Sequence, residues 1–133
     1  MNPVLIDISV WILVFQKDPP AAVADKVRKL IIDGKAATCG MIMLELLGGA
    51  KTSREYRELL EELQTLHYLG DSDQTWLSAC RLSFTLRRKG LTIPSADIHI
   101  ASLAIHYNFS LIHSDHHFDH IAKHSTLNSH RIK

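Results

Sequence analysis

No run of apolar residues in this sequence approaches the length needed to cross a membrane, so no membrane association is expected. The opening residues Met1, Asn2, Pro3, Val4, Leu5, Ile6 and Asp7 supply neither the basic start nor the long apolar core of a secretory signal. Cysteine is scarce. Cys39 and Cys80 are the only two in 133 residues, and their apolar neighbours and wide separation predict buried, reduced thiols rather than a disulfide framework or a zinc site. A cytoplasmic setting is the expectation. An excess of either charge is also missing: 15 basic residues face 14 acidic ones, for a formal net charge of +1. The strongly basic footprint of a dedicated nucleic-acid binder is therefore absent. Repeats and tracts rich in Gly, Ser or Pro are lacking too, so residues 1–133 are expected to form a single domain large enough to bury its own core.

What is present is a globular composition, 46% hydrophobic and 22% charged. Val4-Leu5-Ile6, cut off by Asp7, has the pattern of a short strand buried on both faces. After Pro19-Pro20, the spacing of Val23, Val27, Leu30 and Ile31 predicts a helix stopped by Gly34. Ala36 to Cys39 reads as a second strand, and Gly40 to Leu47 as a helix closed by Gly48-Gly49. Arg54 to Leu66 and Asp73 to Lys89 predict two longer helices packed as an antiparallel pair, with Leu59, Leu60, Leu63, Trp76, Cys80 and Phe84 turned inward. Pro94-Ser95 opens a helix carrying Asp97, Ile100, Ala101 and Ala104 on one face. Phe109 to Ile112 reads as a strand, His116 to Lys123 as a short helix, and Thr126 to Lys133 as an edge strand and tail. Short strands alternating with helices predict an α/β protein with a mainly parallel sheet. The basic groups Lys51, Arg54 and Arg57, and the run Arg87-Arg88-Lys89, read first as solvated faces and second as phosphate contacts.

In open α/β sheets, ligand sites gather beyond the carboxyl ends of the strands. Carboxylates occupy those positions here. Asp7 directly follows the first strand, Asp115 follows the Phe109 to Ile112 strand, and Asp97 lies in the first turn of a helix on its apolar face. Glu45 stands among Met41, Ile42, Met43, Leu44, Leu46 and Leu47 on a segment expected to be buried, where an acid needs a partner. Taken singly, Asp7 and Asp115 read as helix caps, Asp97 as a carboxylate favoured by a helix dipole, and Glu45 as half of a salt bridge with an arginine. Taken together, four converging acids repel one another unless a compact cation neutralises them. An all-oxygen set of this kind suits Mg2+ or Mn2+ rather than zinc.

The segments around these acids resemble the PIN domains, and within them the VapC-like toxins of toxin–antitoxin pairs. Val4-Leu5-Ile6-Asp7-Ile8-Ser9-Val10-Trp11-Ile12 is similar to the family's first acidic motif, with Asp7 as metal ligand and Ser9 as its polar companion. Glu45 in Met43 to Gly49, Asp97 in Pro94 to Ala101, and Asp115 in Leu111 to Ala122 resemble the second, third and fourth acids. The resemblance implies a three-layer α/β/α sandwich with strand order 3-2-1-4-5. It also implies a metal-dependent endoribonuclease in which Asp7, Glu45, Asp97 and Asp115 hold Mg2+ or Mn2+, while Ser9 and His113 orient water, ligand or phosphate. RNA as substrate, a cognate antitoxin as partner and a homodimer follow as expectations, the last also from the apolar surplus of the two helices between Arg54 and Lys89. Two positions depart from the pattern. His117 stands where many relatives carry a further acid, with Asp119 as a substitute close by, and Ile8 replaces a frequent threonine.

Other readings of the same residues compete. His116, His120 and His124 share one helix face at a spacing that can bind zinc, although no cysteine or HExxH pattern accompanies them. Asp115-His116-His117 matches the triplet of the DHH phosphoesterases, without that family's further aspartate motifs. An RNA-processing nuclease with no toxin role, or a non-catalytic RNA- or protein-binding module of the same fold, would share the overall pattern.

Overall fold

The computed structural model describes residues 3–133, so the reading of Met1 and Asn2 lies outside the described residues. Five strands form one parallel sheet: β1 (Val4–Ile6), β2 (Ala36–Cys39), β3 (His67–Leu69), β4 (Ser110–His113) and β5 (Ser129–Arg131). Their order is β3-β2-β1-β4-β5, as the resemblance implies. β1 is central, flanked by β2 and β4. Leu5 and Ile6 point to opposite faces of the sheet, yet both are wholly buried. Helices therefore cover both faces, giving the three-layer arrangement.

Among the described residues, seven helices connect the strands: α1 (Ile8–Val14), α2 (Ala21–Ile32), α3 (Gly40–Gly48), α4 (Ser53–Leu63), α5 (Asp73–Arg88), α6 (Ser95–Tyr107) and α7 (His116–Lys123). Their ends follow local chemistry. α2 starts behind Pro20 and stops where Gly34 adopts a φ of 68°, a conformation that costs glycine little. Ser72 and Thr75 close a reciprocal capping box at the start of α5. α6 is the most deeply set helix, with every residue from Ile98 to Ala104 buried. It carries Asp97 in its first turn.

The two predicted long helices do not form an antiparallel pair. β3 intervenes between them, and α5 packs on α6 instead. That rearrangement turns out side chains the spacing places inside: Trp76 is 48% and Phe84 56% exposed, and Cys80 is exposed while Cys39 is buried. The buried side of α5 is Thr75, Ala79 and Leu86. Burial pushes the Cys39 thiol up to about 11, which keeps it protonated and unreactive. Among the described residues, no helix is long and apolar enough to cross a membrane.

Candidate metal centre

The parallel sheet brings the carboxyl ends of β1, β2, β3 and β4 to one edge, and the helices starting there carry the acids. Asp7 caps a helix at this edge. Its Oδ2 accepts the Ser9 backbone N–H at 3.0 Å and the Ser9 hydroxyl at 2.6 Å, which caps α1. Its Oδ1 is buried with no hydrogen-bond partner, on a residue only 1% exposed. Burial pushes the Asp7 carboxyl above its usual range against the lowering effect of the Ser9 and Ile8 bonds, and the charge of Asp115 adds to the rise.

Asp115 repeats the arrangement at α7, where its Oδ1 accepts the His117 backbone N–H at 3.0 Å. Asp97 sits on α6 with its Oδ2 2.9 Å from Nδ1 of His117, and that same nitrogen is 3.3 Å from Oδ1 of Asp115. Asp97 is also raised, first by burial, with the charges of Asp7 and Asp115 opposing the hydrogen bond from His117. Glu45 differs from expectation: α3 buries Ile42 and Leu46, while Glu45 and Leu44 face outward. It still belongs to the cluster, since its carboxyl is raised by partial burial and by the charges of Asp7 and Asp97. Among the described residues, no arginine pairs with it.

Two further residues tie the acid-bearing loops together. The Ser9 hydroxyl that donates to Asp7 also accepts the Ser114 backbone N–H at 2.8 Å, linking the start of α1 to the β4–α7 turn. His113 is fully buried, and its Nδ1 accepts the Asp115 backbone N–H at 3.2 Å. That bond requires an unprotonated Nδ1, and burial lowers the His113 pKa in the same direction. His113 thus sets the backbone of Asp115 from beneath. Asp119 turns away from the cluster: Arg131 donates to its Oδ2 at 3.0 Å, and its Oδ1 lies 3.6 Å from Nε2 of His113.

An unpaired buried carboxylate oxygen inside a group of mutually repelling acids is costly, and a divalent cation removes both costs. The residues present therefore fit a metal centre. The motif around Asp115 contains the residue that carboxylate counting misses, His117, placed between two of the acids. Among the described residues, the group whose donor atoms all lie within 4.8 Å of one another is Asp115, His116 and His117, and no three of the four acids approach one another that closely. His116, His120 and His124 behave differently. His116 and His124 are exposed, and His120 packs edge-on against His116 at 5.8 Å.

Residues 4–124 match the PIN domain family. The chain belongs to that family. Among curated relatives, the ribonuclease VapC11 of Mycobacterium tuberculosis is 33% identical over 128 residues, covering 93% of this chain and 95% of the relative. The ribonuclease VapC21 of the same species is 29% identical over 104 residues, with coverage of 76% and 75%. Among solved structures, the VapBC2 complex of Rickettsia felis bound to a promoter DNA fragment superposes with a TM-score of 0.80 at 21% identity, over 98% of both chains. This PIN fold therefore holds along nearly the whole chain, with its four acids on the sheet edge described above.

Proposed function

We infer that this PIN-domain protein is a metal-dependent endoribonuclease, the toxin of a toxin–antitoxin pair, acting in the cytoplasm. The observation that carries the reading is the buried, unpartnered Oδ1 of Asp7 amid the charges of Glu45, Asp97 and Asp115. The naming of its relatives as VapC ribonucleases supports RNA as the substrate. Asp7, Asp97 and Asp115, with Glu45 at the open side of the site, would hold Mg2+ or Mn2+. A cation held there would supply an activated water and offset charge on the phosphate, so no protein nucleophile would be needed. Ser9 fixes the rotamer of Asp7, and His113 fixes the backbone of Asp115. The protonated form of any of the three raised acids, Asp7, Glu45 and Asp97, would neither bind a cation nor accept a proton from water, so the site works only where all three are ionised.

A groove of about 630 Å³ opens beside the centre, lined by Ile8, Ile12, Phe15 and Leu59 and bordered by Glu45, Glu55, Glu58 and Glu62. Its apolar floor and acidic rim fit an antitoxin segment that brings a basic side chain towards the site, with Glu45 common to groove and centre. The exposed α5 surface of Trp76, Leu77 and Phe84 suits self-association into a homodimer.

The test is cleavage of total cellular RNA by the wild type and by Asp7→Asn, with and without EDTA. Cleavage by the wild type alone, abolished by EDTA and restored by Mg2+ or Mn2+, is expected. Equal cleavage by the variant, or cleavage that survives EDTA, refutes the reading. Growth arrest on expressing this chain, relieved by an adjacent gene, tests the toxin role separately. An active nuclease without arrest would point to RNA processing.

A further inference from the structure

Trp76 is 48% exposed, yet its ring is held in place. One face of the indole lies on the imidazole of His99, with ring centroids 4.4 Å apart and planes 21° from parallel. His99 is itself buried, and its Nε2 is 2.8 Å from Oδ1 of Asp71. Its Nδ1 is buried without a partner, so the Asp71 contact is the polar tie that orients the imidazole. Asp71 is held in turn by the Thr75 hydroxyl at 3.1 Å, and Thr75 closes the capping box with Ser72 directly before Trp76. A flat, half-exposed ring fixed in this way is a preformed stacking surface, and little freedom remains to be lost when a second ring settles on it. Its place matters as much as its rigidity. His99 lies two residues after Asp97 near the start of α6, a separation of roughly 5.5 Å between Cα atoms in a helix. Asp71 follows β3 at the same sheet edge that carries the four acids.

We propose that Trp76, backed by His99, is a stacking platform for an unpaired base of the RNA. The proposal rests on the nuclease reading above and names a residue that holds the substrate rather than one that acts on it. A formal net charge of +1 provides no broad basic surface for phosphates, so affinity for a single strand needs contacts to the bases. Stacking on a tryptophan meets that need in any sequence, because every base has a π-face. Asp71 and Asp73 stand close to Trp76 in sequence and disfavour a phosphate there. The base is then the part of a nucleotide that fits. Trp76 borders the apolar face of α5 suited to self-association but does not lie at its centre. At about 100° per residue round a helix, Leu77 stands about 100° and Phe84 about 80° from it, on the side opposite the buried Thr75, Ala79 and Leu86. A dimer centred on Leu77 and Phe84 therefore need not cover the indole.

The test uses the full chain in EDTA, so that binding is read without cleavage. The probes are a fluorescein-labelled single-stranded oligoadenylate and the same oligomer carrying abasic sites, titrated by anisotropy. The wild type is expected to bind the oligoadenylate, with affinity about tenfold or more lower in Trp76→Ala and largely kept in Trp76→Phe. The abasic oligomer should bind the wild type about as weakly as Trp76→Ala binds the oligoadenylate. With Mn2+ restored, on an RNA that the wild type cleaves, Trp76→Ala should show a raised KM at nearly unchanged kcat. Equal affinity of wild type and Trp76→Ala, or a wild type that does not distinguish the two oligomers, would overturn the proposal, and EDTA-sensitive cleavage would leave the nuclease reading standing. So would a loss of binding that appears equally in Leu77→Lys, since the indole would then act through self-association. A wild type that neither binds RNA in EDTA nor cleaves it with Mn2+ would overturn the nuclease reading itself, and the platform with it.

Discussion

Nδ1 of His117 and Oδ2 of Asp97 meet at 2.9 Å across 20 residues of sequence, joining the start of α7 to the first turn of α6. Asp97→Asn keeps an oxygen in place for that contact and removes one charge. In a cation site this weakens Mn2+ binding and RNA cleavage, and it stabilises the metal-free protein by relieving carboxylate repulsion. A residue serving only the helix start would instead lose about 0.3 to 1 kcal/mol of stability with metal binding intact. Calorimetric Mn2+ titration alongside metal-free melts separates the two outcomes.

Ser9 is expected to matter through the two loops it joins. Ser9→Ala removes the donor to Asp7 and leaves the part-buried Ser114 N–H without its acceptor, at a cost of about 1 to 3 kcal/mol in stability. Ser9→Thr retains the hydroxyl and should recover most of both stability and cleavage. Melting temperature and initial cleavage rate, compared across the pair, provide the check.

The raised carboxyls also set a pH dependence. Asp7, Asp97 and Glu45 all stand above their ordinary values of 3.8, 3.8 and 4.5 in the folded, metal-free protein. The folded state therefore binds protons more tightly than the unfolded chain. The stability this provides is full below the ordinary values and is lost as pH rises through the raised ones. Protons compete with the cation over the same interval. Mn2+ affinity and cleavage should thus begin to fall at a higher pH than ordinary carboxylates dictate, and Asp97→Asn should narrow that loss. A pH series of Mn2+ titrations measures it.

Legibility in the sequence followed the strength of the local signal. β1, β2 and β4 are short, largely buried strands built around apolar residues and are readable, as are α2 and α6 with their proline starts. β3 is not readable: it has three residues at the sheet edge, and His67 and Tyr68 are exposed, so no alternation marks it. Glu45 was placed inside because α3 is apolar nearly all round and offers no stripe to tell its faces apart. Trp76, Cys80 and Phe84 have helical spacing, but α5 buries Thr75, Ala79 and Leu86; Cys80 and Phe84 are exposed, and Trp76 meets α6 only at its edge, stacking on His99 at 4.4 Å. Asp7, Asp97 and Asp115 were legible because strand ends and helix starts fix their positions. The His117–Asp97 contact is not legible, because it joins residues 20 apart in sequence on two different helices.

The outward face of α5 predicts the oligomeric state. Leu77 is 69% exposed beside Trp76 and Phe84, so sedimentation at micromolar concentration should give a dimer, and Leu77→Lys should shift it to monomer without lowering the melting temperature. A monomeric wild type would contradict the self-association.

Asp7 gives the most direct measurement of the central claim, that these carboxylates form one cation centre. Thermal melts of the wild type and Asp7→Asn are compared with and without Mn2+. The wild type should gain about 2.7 kcal/mol at Mn2+ concentrations a hundredfold above its dissociation constant. The variant should melt higher than the wild type without metal, having lost a buried charge, and should gain nothing when Mn2+ is added. A variant that melts lower than the wild type without metal and keeps the full Mn2+ shift would contradict the account.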